Sequence, residues 1–94
     1  MAKQLETEYE YVLDYDNKPV KVLDVYESFT GWYWFITEID KEDPNYLYGK
    51  VYGFETEWGE IYKPELEANR YKIWKVPKMN WSSTGRTVKK DGTQ

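Results

Sequence analysis

The chain has 94 residues, with 13 Lys+Arg against 17 Asp+Glu, no Cys and no His. That length holds one small domain, and the missing residue types exclude disulfides, thiolate or imidazole metal sites, and Ser-His or Cys-His nucleophile pairs. No apolar run approaches the roughly 18 residues of a membrane span, and the opening MAKQLETEYE lacks an apolar signal segment, so the expectation is a cytoplasmic domain without membrane contact, monomeric or weakly homodimeric.

Residues 7–13 alternate Tyr9, Tyr11 and Leu13 against Glu8, Glu10 and Val12, the period of a strand. The stretch Asp-Tyr-Asp-Asn-Lys-Pro at 14–19 is made of turn formers, with Asn17 able to take a left-handed conformation. Residues 20–26 predict a second strand whose phase slips at Val22 and Leu23, pointing to burial on both faces or a bulge. After a turn at Phe29-Thr30-Gly31, residues 32–39 predict the strongest strand. Trp32, Trp34 and Ile36 face one way and Tyr33, Phe35, Thr37 and Ile39 the other, so both faces are covered and the strand is central.

An acidic loop at 40–45 separates this strand from a fourth at 46–52, and residues 54–62 predict a fifth, broken near Trp58-Gly59 by a bulge or turn. Pro64 opens a short helix near residues 64–69, with Glu65 and Glu67 complementing its positive end. Residues 70–76 predict the last strand, stopped by Pro77, and 82–94 read as a disordered polar and basic tail behind a β-rich domain of 1–81. About six strands and one short helix describe a mainly β fold, α+β at the margin: a curved antiparallel sheet or small barrel.

Five Trp, ten Tyr and three Phe outnumber the Ile, Leu and Val together. In a small domain without staples, large rings gain burial per residue, and Trp34, Phe54 and Trp58 are the expected core members. Charge is split along the chain. Residues 1–67 carry six Lys and sixteen acidic residues, whereas 68–94 carry seven basic residues and only Asp91. A basic last strand lying beside acidic ones explains the split, and so does a charged partner.

Catalytic and cofactor signatures are weak. Asp40, Glu42 and Asp43 lack the glycine and terminal Glu of a calcium loop, and no phosphate-binding glycine motif occurs, so no metal and no cofactor is expected. Glu55 and Glu57 beside Trp58 have the parts of a small carboxylate hydrolase, but 94 residues leave little room for its cleft. The segment from Arg70 to Trp81 interleaves cations with rings. Lys72, Trp74, Lys75, Lys78 and Trp81 are therefore candidates for single-stranded nucleic-acid binding. An acidic, aromatic surface binding a basic protein is the converse reading.

Trp-Tyr-Trp-Phe-Ile-Thr-Glu at 32–38, Tyr-Gly-Lys-Val-Tyr-Gly-Phe-Glu-Thr-Glu-Trp-Gly-Glu-Ile-Tyr at 48–62 and Glu-Leu-Glu at 65–67 resemble a family of small proteins of unknown function. Its members are encoded on bacterial plasmids, phages and integrated elements. The shared block is W-x-W-x-x-T-E, then G-x-V-x-G-F-E-x-E-x-G, then an E-L helix start. Lys63-Pro64 stands here where the family has Ser-Leu-Ser. The resemblance implies a mobile-element accessory protein, an interaction module rather than an enzyme, and carries over no catalytic residue. Packing explains Glu38, Glu55 and Glu57 least within the block, which makes them its candidate binding residues. The expected function is thus non-catalytic binding of another protein, with nucleic acid as the alternative partner.

Overall fold

A computed structural model describes residues 8–69 and 72–94. The first elements are β1 (Tyr11–Leu13) and β2 (Pro19–Lys21), an antiparallel pair forming its own two-stranded sheet. Their turn is built by Asp14, whose Oδ1 accepts the backbone N–H groups of Asp16 and Lys18 at 2.8 and 2.9 Å, while Asn17 sits at φ 61°. Then follow β3 (Asp24–Ser28), β4 (Tyr33–Ile39), β5 (Tyr46–Tyr52), β6 (Thr56–Tyr62), helix α1 (Lys63–Ala68) and β7 (Ile73–Lys75). A 3-10 helix spans Lys78–Thr84.

The main sheet is antiparallel with order β6-β5-β4-β3-β7. It stays open, with β6 and β7 as its two edges, so the sheet and not the barrel is the outcome. β4 is central, as its two apolar faces require. The acidic loop after it is ordered from within: Asp40 Oδ1 accepts the N–H groups of Glu42 and Asp43, and Asp43 Oδ1 that of Asn45.

Four expectations change. The single strand at 20–26 is two strands in two sheets, because the phase slip at Val22-Leu23 is where the chain leaves the small sheet for the large one. β6 runs unbroken through Trp58-Gly59, each paired with Lys50 and Gly49 of β5; the irregularity lies instead in β4, between Ile36 and Glu38. The last strand shortens to Ile73–Lys75, with Arg70 and Tyr71 outside the described residues, as is Thr7 of the first. Residues 82–94 are packed and not a loose tail. Val88 and Thr87 are buried, and Val88 exchanges two backbone hydrogen bonds with Tyr11 at 2.7 and 3.2 Å. A single valine with a paired backbone suffices to anchor an otherwise polar segment.

Each face of the main sheet has its own core. One carries Val25 and Phe35 and is covered by Val12 and Val22 from the N-terminal hairpin and by Val76 and Trp81 from the C-terminal segment. The other carries Tyr26, Ile36, Leu47 and Ile61 and is covered by Leu66 of α1. The arrangement is three layers, hairpin and 3-10 helix, sheet, and helix, so β4 is buried from both sides.

The charge split is partly absorbed by the fold. Glu10, whose side chain is 17% exposed, pairs with Lys21 at 2.7 Å and Lys78 at 3.3 Å, and Asp24 pairs with Lys75 at 3.4 Å. Lysines of the basic end thus meet carboxylates of the acidic body.

Candidate functional site

Cross-strand register sets which side chains share a face. On the helix side, one row runs Tyr26, Trp34, Val51, Glu57 across β3, β4, β5 and β6. On the hairpin side, another runs Glu38, Tyr48, Glu60 across β4, β5 and β6. Glu38 and Glu57, grouped with Glu55 as candidate binding residues, therefore stand on opposite faces. The irregularity after Ile36 is the reason: it inserts Thr37 as an extra residue, so Glu38 falls opposite Tyr48 and Ile39 opposite Leu47.

Glu55 lies in the tight β5–β6 connection, where the Gly53 N–H donates to its carbonyl at 3.1 Å. At the tip of that connection is Phe54, expected in the core but 94% exposed. A three-residue link leaves its middle side chain nowhere inward to point. Its ring meets the Trp32 ring, edge-on with centroids 5.2 Å apart, and Trp32 in turn lies 6.0 Å from Trp34. Gly53 permits this, since a Cβ there would stand 2.5 Å from the Trp32 ring. Trp34 and Trp58 are half-buried, each packed against one of the two cores. The result is a stepped aromatic surface of Trp34, Trp32 and Phe54, with Glu55 and Glu57 beside it.

The basic candidates are dispersed. Lys72 is exposed in the turn before β7, its N–H donating to Asn69 C=O at 2.7 Å. Trp74 and Lys75 are neighbours on a strand and so face opposite ways. Trp74 stands across from Glu27 and donates its indole N–H to that carboxylate at 3.3 Å, while Lys75 reaches Asp24. Lys75, Lys78 and Trp81 do come together, joined by Lys21 and Leu23, around a groove of about 500 Å³. Trp81 is its floor and not a stacking platform: it is 3% exposed, with its indole N–H held by Val76 C=O at 3.1 Å. The residue is core because the 3-10 helix turns it under the sheet.

Glu10 organises that corner. The hydrogen bond from Lys21 holds its carboxyl below the usual carboxylate range, aided by Lys78. On the same side of the sheet, burial and the bond to Glu27 push the Tyr33 hydroxyl up, with Tyr33 O–H donating to Glu27 at 3.0 Å. Glu55 and Glu57, the carboxylates of the hydrolase reading, line neither this groove nor the other three principal clefts.

Sequence reasoning passed over Trp32 and Tyr15 as site residues. Glu60 was legible from parity, since it shares a face with Trp58 two residues away. Tyr15 was not, because nothing local says that a hairpin tip reaches β6. Comparison with protein-family models, with curated proteins and with solved structures gives no match. Among the described residues, no helix is long and apolar enough to cross a membrane.

Proposed function

We propose that this chain is a non-catalytic interaction module that binds another protein, as a cytoplasmic accessory protein of a mobile genetic element. The element context rests on the resemblance of residues 32–67. The observation that carries the binding reading is Phe54, almost wholly exposed yet held against Trp32 beside Glu55 and Glu57. A ring left largely in water contributes little to folding, and an aromatic step rimmed by carboxylates suits the cationic side chains of a partner.

Amide shifts of isotope-labelled protein test this, with a Lys- and Arg-rich peptide and, separately, single- and double-stranded oligonucleotides at low and moderate salt. The peptide is expected to move residues 32, 54, 55 and 57, and Phe54→Ala to weaken it about tenfold, the loss of one aromatic anchor. The groove rimmed by Lys21, Lys75 and Lys78 favours a second reading, single-stranded nucleic-acid binding. Salt-sensitive oligonucleotide shifts confined to 70–90 would support that one and displace the first. Silence towards the basic peptide sinks the protein-binding reading.

A further inference from the structure

β6 is a seven-residue strand at the edge of the main sheet, whereas the opposite edge, β7, has three residues. Which of its backbone groups point outward follows from the bonds flanking it. The Gly53 N–H donates to Glu55 C=O at one end, and the Lys63 N–H to Asn45 C=O at the other. Both bonds fall at odd-numbered positions on the β6 side, so in an antiparallel ladder the odd residues face β5. Thr56, Trp58, Glu60 and Tyr62 therefore direct their N–H and C=O groups away from the sheet. The Trp58 N–H agrees: it donates outward, to the hydroxyl of Tyr15 at 3.4 Å.

Long open edges are templates for another strand, and most proteins block theirs. Among the described residues the block is one long hydrogen bond, accepted by a side chain that is itself 77% exposed, at the tip of the β1–β2 hairpin. An incoming carbonyl would replace the Tyr15 oxygen at little cost. Charge selects the occupant. Glu57 projects on the helix side of β6 and Glu60 on the hairpin side, both exposed. On an extended segment, residues three apart also point to opposite faces. Two cations at that spacing would meet both carboxylates across the new pair, while a second copy of β6 would set glutamates among glutamates.

We propose that the partner adds to β6 as an extra strand, an extended segment with Lys or Arg three positions apart, and that the Tyr15 hydroxyl is the displaceable latch on that edge. This rests on the protein-binding reading and adds where and how the partner lies. The probe is a short Thr/Val peptide with two lysines three positions apart, compared with the same peptide N-methylated on alternate backbone amides. Expected are shifts and slowed exchange at the outward amides of Thr56, Trp58 and Glu60, and no binding of the methylated form. Tyr15→Phe should tighten binding about twofold, the worth of a weak hydrogen bond, and the pair Glu57→Gln, Glu60→Gln should loosen it. Equal binding of the methylated peptide, or shifts confined to Phe54 and Trp32, would overturn strand addition and leave the protein-binding reading standing. Outward-amide shifts on concentrating the protein alone would overturn the assigned occupant. Indifference to every basic peptide overturns both.

Discussion

Phe35 and Phe54 are the same residue type, nineteen positions apart, and the fold uses them oppositely. Phe35 is wholly buried at the centre of β4 between Val25 and the Tyr52 ring, 5.5 Å away and edge-on. Phe35→Ala should therefore cost about 3–5 kcal/mol in chemical denaturation, whereas Phe54→Ala should change stability by less than about 0.5 kcal/mol. Gly49 is constrained from the other direction. It lies opposite Ile36, where β4 becomes irregular, and a Cβ there would fall on the Phe35 carbonyl oxygen. The obstacle is backbone and cannot rotate away, so Gly49→Ala should cost about 3 kcal/mol in the same measurement. The aromatic character of the block is plain in the chain. Whether a given ring is core or surface is set by its place relative to a turn, and strand parity alone does not settle that for residue 54.

Among the elements, one carboxylate ties the N-terminal hairpin to the C-terminal segment, beside the Tyr11–Val88 backbone pair. Glu10, just before β1, joins Lys21 of β2 to Lys78 at the start of the 3-10 helix. Its carboxyl titrates lower in the folded chain than in the unfolded one, chiefly because Lys21 donates to it. The unfolded state thus takes up a proton first as pH falls. The stabilisation is complete above the usual carboxylate range and is lost as pH drops through it towards the folded value. Glu10→Gln should lower stability at neutral pH by about 1 kcal/mol, given the exposure of both lysines, and should flatten the acid limb of a stability-against-pH curve. An unchanged acid limb would mean that Glu10 is not the hub. Tyr33 and Tyr26 act at the alkaline end. Their hydroxyls are raised, mainly by burial, so the stability they hold in the neutral form is lost as pH climbs above the ordinary tyrosine range.

At the scale of the whole molecule, the last residues close the hairpin-side core. Val88 is buried and paired with Tyr11, and the Arg86 guanidinium lies over the Tyr52 ring at 4.5 Å. Val88→Ala should cost about 2 kcal/mol, and the Val88 amide should exchange slowly with solvent; exchange at the rate of a free chain would show the segment unpacked. The sequence by itself determined the strand-rich class, the central place of β4, the short helix opened by Pro64 and the charge split, because alternation, turn chemistry and composition are local and repeat within a few residues. The tertiary structure alone decided that the second strand divides between two sheets, that Trp81 and Val88 are core, that Glu38 and Glu57 part to opposite faces, and that Tyr15 reaches the β6 edge. Each of these depends on contacts between residues distant in the chain, or on one inserted residue that inverts every side chain after it.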